Sequence, residues 1–556
     1  MKLLQYSILF FFLIGLTGVV DAQKKKKIKY QAEGRSINGK INGETFRKLI
    51  DNVVFKQENT TVYCDSSIFY PERNVMEAFG RVRIVDDSVL ITARKLIYDG
   101  DNRKTQLREN VIYTRGDRRL YTDFLDYDLD AEIAHYFNNG KLVDTTNTLT
   151  SEIGYYYANK NYALFWNTVK LIAPTYVLET DTLRYNTITK VAYTFGPTEI
   201  TQNDGSILHS QGSEFRTVFD QSQFIEGNVE TDDYYLEGDS LFFDDLRKYY
   251  KAIGNVILTA KEKDIIITGD EAYYDKRHGL SKVYGYPLMK RILELDTFYV
   301  SADTMVSIES EYDSAKRILA YYDVKMFKKG LQGIADSVSY FLEDSLIYFY
   351  KDPVMWNNNN QVEADTIYLE ISENEIKKMN MISNSFLSQE DTIQNYNQIK
   401  GRDMVADFIE NQISHIDVDG NGELLYYALE DGDSTVMGLN KIFTSSMRIR
   451  FEDQKLVNFS VYRNPEAQFI PPHEVTLELE RLEGFSWRSE ERPILFDLAP
   501  YLSDSSYLTP SKPATSLPLE KEETLEIDRN EIEKGLGDPG SNSSQNLLKK
   551  SILREQ

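Results

Sequence analysis

The side chains whose type and spacing first invite a chemical reading are acidic. Asp65, Asp123 and Asp181 lie on a 29-residue grid with Arg94 and Glu152, and Asp239, Asp270, Asp303, Asp336, Asp365 and Asp403 carry the series on with a drifting period. Repeated carboxylates could hold a ladder of calcium ions or supply acid–base pairs. Catalysis, however, needs one constellation rather than ten copies, and a ligand ladder does not tolerate an arginine on its grid. The acids therefore read as structural marks of a repeat.

The remaining candidates fail on their own terms. Asp417-Val418-Asp419-Gly420-Asn421-Gly422 matches the first half of an EF-hand loop, but Ala428 stands where the bidentate glutamate belongs. Asn421-Gly422 reads instead as a tight hairpin turn. His135, His209, His278, His415 and His473 share no metal-ligand spacing. No nucleophile elbow or phosphate loop is present, so the sequence nominates no catalytic residue, metal or cofactor and is read as non-enzymatic.

What the acids punctuate is a pentad. Two residues after each anchor stands Ser67, Leu96, Leu125, Gly154, Leu183, Leu241, Ala272, Met305, Val338 or Ile367; four after it stands Phe69, Tyr98, Tyr127, Tyr156, Tyr185, Phe243, Tyr274 or Tyr340, with Ser307 and Leu369 as exceptions. Alternation of period two predicts a β-strand for each pentad. The preceding residue is small, as at Cys64, Ala93, Thr122 and Gly238, which suits a crowded strand entry, and Cys64 reads as a packed thiol. Asp or Asn after the aromatic predicts a turn. Gly80-Arg81-Val82, Asn110-Val111 and Gly254-Asn255-Val256 predict the start of the next strand. With 38 tyrosines and 28 phenylalanines and little helical periodicity, the chain is expected to be all-β and mainly antiparallel.

Lys2, the apolar run Ile8 to Leu16 and Val20-Asp21-Ala22 predict an export signal over 1–22, an uncleaved anchor being the runner-up. No other run reaches the length of a membrane helix. A formal charge of −24 disfavours nucleic acid, and a single cysteine rules out an internal disulfide. The expected layout is a polar lead-in over 23–52, the repeat array over 53–411, a C-terminal β module over 412–498 and a disordered tail over 499–556 with a short helix at Leu519 to Lys534.

The pattern of small residue, Asp, apolar strand, Tyr-Asp and Gly-Asn-Val-x-Leu resembles the OstA-like, or LptA-like, family of lipopolysaccharide-transport proteins. It is clearest at Gly238-Asp239 to Asp244 and at Ile253 to Leu258 with Gly269 to Asp275. The resemblance implies an elongated antiparallel β-jellyroll, a trough whose apolar interior carries acyl chains. It implies a periplasmic location, free or attached to the inner or outer membrane. It also implies lipopolysaccharide or a related glycolipid as cargo, with other transport components and the outer-membrane assembly barrel as partners by edge-strand pairing. Val82 and Ile84, Val111 and Tyr113, Val169 and Leu171, and Val256 and Leu258 are the candidate lipid-lining pairs. A dozen repeats of two strands at about 4.8 Å each reach on the order of 100 Å. A surface scaffold with a closed interior is the rival reading. A β-helix polysaccharide enzyme fits poorly, since its coils run nearer about 20 to 25 residues and need one acidic or basic cleft.

Overall fold

The computed structural model describes residues 27–498 except 33, 87–88, 294–295, 310–315, 373–374, 411, 431–434, 453–454 and 464. The expected signal 1–22, the tail 499–556 and the helix at Leu519 to Lys534 lie outside the described residues. The chain divides into two compact units, 1–500 and 501–556, and all described residues belong to the first. Every described strand pairing is antiparallel and joins one continuous sheet.

One 29-residue repeat is two strands, each bent in the middle. The strand Val75–Asp86 pairs with Val89–Asp99, and the register shifts between Phe79 and Val82. The same shift recurs at 50/53, 108/111, 166/169, 195/198 and 253/256. At these points the backbone enters the left-handed region, at Asp51, Gly80, Glu109, Asn167, Gly196 and Gly254, and it does so again at Asn138 between the strands Ile133–Tyr136 and Gly140–Val143, so that the positions from Asp51 to Gly196 step by 29 residues. A bulge with such a residue bends the strand sharply. Each strand thus contributes one half to a pentad leaf and the other to a leaf that begins on Val53, Val82, Val111, Val169 or Val256. The leaves face each other: Tyr30 and Phe55 of the valine leaf meet Phe69 of the pentad leaf at 5.5 and 6.1 Å.

This geometry corrects three sequence expectations. Most pentads are the second half of a longer strand, those after Glu152, Asp303 and Asp365 being strands of their own, and the small residue before the pentad sits at the bend, as Cys64 does opposite the buried Val53. The Gly and Asn signals mark mid-strand bends because those residues accept positive φ. Asn421-Gly422 is likewise no hairpin turn: it lies within the strand Gln412–Leu429, at a bulge where Gly420 and Asn421 have positive φ.

The anchor carboxylates hold a neighbouring strand's bend. Asp65 accepts from Arg81 Nε at 2.9 Å, Asp123 from the Asn110 amide at 2.9 Å, Asp239 from Asn255 Nδ2 at 3.0 Å and Asp365 from Asn384 Nδ2 at 3.0 Å. At the Arg94 rung the charges are exchanged, with acidic Glu109 on the bend side paired to Lys95 at 2.6 Å. Gly80 has φ +75°, and an added Cβ would lie 2.4 Å from Asp65 Oδ2. Gly80→Ala is therefore expected to cost about 1–3 kcal/mol in urea unfolding. Gly116→Ala, at φ +62° with nothing within 4 Å, is the control for backbone strain alone. Equal losses in the two variants would remove the carboxylate from the account.

The first described strands are Lys29–Ala32 and Ser36–Ile41, within the expected lead-in, and Glu44–Gln57, which runs from it into the array. At the other end, Gln412–Leu429, Val436–Glu452, Lys455–Tyr462 and Glu466–Ile470 continue the same sheet. Residues 471–498 form no strand and pack back on the sheet's outward side.

Candidate functional site: the interior between the leaves

The inward face is not uniform along the array. Its first part, from Leu49 through Val169, is packed shut, with Val53, Val82, Leu96, Leu107 and Leu125 at 1% exposure or less. Contacts between leaf tips close it further: Arg103 pairs with Glu58 at 3.1 Å, and Gln57 Nε2 donates to Gly100 O at 3.1 Å. Cys64 sits here as the packed thiol the sequence suggests; burial, then the adjacent Asp65, pushes it up to about 12. The last part, from Ile265 to Leu456, is a second continuous core that includes Phe349, Ile367, Met379 and Met404. Lys263 pairs with Glu343 at 3.3 Å and Arg291 lies 5.4 Å over the Tyr340 ring, each tying leaf to leaf. A void in this core, lined by Met289, Phe298, Met305 and Tyr340 among others, measures about 10 Å³. That admits one water at most and no alkyl chain.

Between these cores the interior is different. A small cluster of Leu178, Ile200, Leu208, Phe224, Leu241, Ala252 and Val256 forms a floor; Tyr176, Phe215, Val229, Leu236 and Phe243 packed against it stay half-buried, as does Leu258 opposite Leu236. On the pentad leaf the rings form a ladder, Phe215 to Phe224 at 5.6 Å, Phe224 to Phe243 at 5.4 Å, Phe243 to Tyr250 at 5.5 Å and Tyr250 to Tyr274 at 5.9 Å. Its outer rungs carry hydroxyls to rim carboxylates: Tyr250 donates to Asp245 and Tyr274 to Glu309, each at 3.0 Å. Burial, then the neighbouring carboxylate, raises both phenols, so they stay protonated as donors. The section's N-terminal limit is a buried hydroxyl tie at the bend, in which Thr180 meets Thr198 at 3.0 Å and Thr198 donates to Thr194 at 2.9 Å. Thr194 also meets Ser213.

The candidate lining residues divide accordingly. Val82, Ile84, Val111, Val169 and Val256 are buried and face inward, whereas Tyr113, Leu171 and Leu258 are half-buried. Val82, Ile84, Val111 and Val169 belong to the sealed first core, Tyr113 packs against it, and Leu171 touches both that core and the middle cluster. Val256 belongs to the middle cluster, and Leu258, half-buried two residues on, stands opposite Leu236 and Ile267 on its neighbouring strands. The sequence reading passed over Phe215. Its rung, Gln211 with Ser213 and Phe215, fills the gap between Asp181 and Asp239, but a glutamine anchor hid it. Thr198 opposite Ser210, where other repeats place valine, was the available signal for the hydroxyl tie. Among the described residues no group of three or more His, Cys, Asp or Glu side chains is placed to hold a metal. Among them no helix is long and apolar enough to cross a membrane.

A single antiparallel sheet, bent rung by rung into two facing leaves with an apolar interior, defines a β-jellyroll repeat protein. Residues 25–181 match the family model of OstA-like proteins, so the N-terminal part of the array is OstA-like. No curated protein matches the chain. Among solved structures it aligns with LptH from Pseudomonas aeruginosa, described as the LptA homologous periplasmic component of the conserved lipopolysaccharide transport device. The identity is 14%, over 26% of this chain and 79% of that one, with a TM-score of 0.13. At that score the likeness carries no weight for fold or function.

Proposed function

We propose that this protein is a non-enzymatic periplasmic bridge of the lipopolysaccharide-transport type, holding the acyl chains of a glycolipid between its leaves. The observation that carries the reading is the half-buried apolar lining around Phe215, Phe243 and Leu258, which lies between two sealed cores. Each methylene moved from water onto such a lining gains about 0.8 kcal/mol, so a saturated chain has ample reason to enter. The OstA-like match over 25–181 supports the class. Partners dock by strand addition in this reading. Lys29–Ala32 and Ser36–Ile41 pair only with Glu44–Gln57 among the described strands, and Lys455–Tyr462 and Glu466–Ile470 only with Val436–Glu452. These edges expose Ile37, Ile41, Val457 and Phe469, and other transport components or the outer-membrane assembly barrel would pair there. The packed first and last cores favour a second reading, a structural or adhesive scaffold without cargo. A photocrosslinker at Leu258 separates the two: the bridge captures lipopolysaccharide in cells, and the scaffold captures none.

A further inference from the structure

Residues 471–498 leave the last edge strand and run back over the outward side of the valine leaf, adding no strand to the sheet. Two glutamines on that side hold the passing backbone in the same manner. Gln398 Nε2 donates to Glu480 O and its Oε1 accepts from the Leu482 amide, both at 2.8 Å. Gln361 Nε2 donates to Ser486 O at 3.0 Å and its Oε1 accepts from the Arg488 amide at 2.6 Å. Each side-chain amide thus reads a carbonyl and the amide two residues on, and the second reading repeats the first six residues along the strap.

Side chains of the strap add anchors. Leu482 is 3% exposed and packs with Phe386, Leu425, Tyr427 and Leu439. Ser486 Oγ donates to the Glu363 carboxylate at 2.8 Å, Arg488 reaches Asp352 at 2.9 Å, and Arg492 Nε donates to Gln332 Oε1 at 2.8 Å.

Three features set this contact apart from ordinary core packing. The strap leaves without breaking a sheet ladder. The face it covers is rich in amides, Gln332, Gln361, Gln398 and the Trp356 indole N–H, which water can solvate. The two glutamines recognise backbone atoms, so the face suits a segment that follows the same turns and offers an apolar anchor and an arginine six residues later.

We infer that the outward face between Gln332 and Gln398 is a receptor for a turn-bearing peptide segment, filled in this chain by residues 475–492 as an exchangeable internal ligand that a partner's segment of the same kind replaces. The inference stands apart from the lipid reading, since it concerns the opposite side of the leaf.

The test uses the full-length protein and a fluorescent synthetic peptide of residues 475–492. The internal strap competes at high effective concentration, so the unmodified chain binds the peptide weakly. Leu482→Asp in the protein's own strap is expected to raise peptide affinity at least tenfold. Adding Gln361→Ala and Gln398→Ala to that variant is expected to abolish the gain. Arg488→Glu, which sets like charges against Asp352 and Glu363, is a second way to loosen the strap. Hydrogen exchange at the Leu482 and Arg488 amides reports that it has opened. No saturable binding to a variant whose strap is open would overturn the inference. So would strap amides that exchange only when the strands beneath them unfold.

Discussion

Phe349→Ala is expected to destabilise the C-terminal half of the array by about 3–5 kcal/mol, the range for deleting a buried ring from a core that cannot collapse around the loss. Phe349 is 0% exposed, sits opposite Val338 and Ile367 on its two neighbouring strands, and belongs to the larger of the sealed cores. Phe243 is the matched comparison. It occupies the same inward side of the pentad leaf, with rings of Phe224 and Tyr250 beside it, but it is only half-buried. Phe243→Ala is therefore expected to cost about 1–2 kcal/mol, since less apolar surface is lost from the packed interior. Hydrogen exchange over the strands Leu331–Phe341 and Tyr234–Asp244 reads each effect locally. Equal costs at the two sites would mean that the middle section is packed as tightly as the ends.

The second large effect is on pH dependence. His135 stacks on Tyr155 at 4.0 Å, and burial, helped by the Arg108 charge, lowers its imidazole to about 4. The folded state thus holds it neutral while the unfolded chain takes up a proton near about 6.5. The sign follows: the contribution is complete above about pH 6.5 and is lost as pH falls toward about 4. At pH 5 the loss amounts to about 2 kcal/mol. His135→Phe keeps a ring against Tyr155 and removes the titration. Urea unfolding at pH 7 and pH 5 should show the variant losing about 2 kcal/mol less than the parent chain on acidification. An identical pH dependence in both would place the imidazole in water.

Much of the architecture was legible because one physical event, the bend, repeats every 29 residues and leaves the same residues behind. The pentads, the small residues beside them and the glycines and asparagines of the bends are all visible in the chain. Their roles were read one step out of place. The bend signals looked like strand starts because period-two alternation restarts after a bulge, and nothing local distinguishes that restart from a new strand. The departure at Arg94 has a structural counterpart in the exchanged pair of Lys95 with Glu109. The division of the interior was less accessible. Val82 and Val256 have the same local pattern, yet one is sealed by its neighbours and the other borders a half-open floor. The strap was illegible for a different reason, since Gln361 and Ser486 lie 125 residues apart and no local pattern links them.

The central claim is that lipid reaches the interior only where the leaves leave it half-covered. Single photocrosslinkers placed at Val82, Phe215, Phe243, Leu258 and Phe349 test it in one series in living cells. Capture of lipopolysaccharide at Phe215, Phe243 and Leu258, with little at Val82 and Phe349, is the expected result. Capture at none of the five positions would contradict lipid carriage and leave the scaffold. Equal capture at all five would contradict the sealed ends and indicate a trough that opens along its whole length.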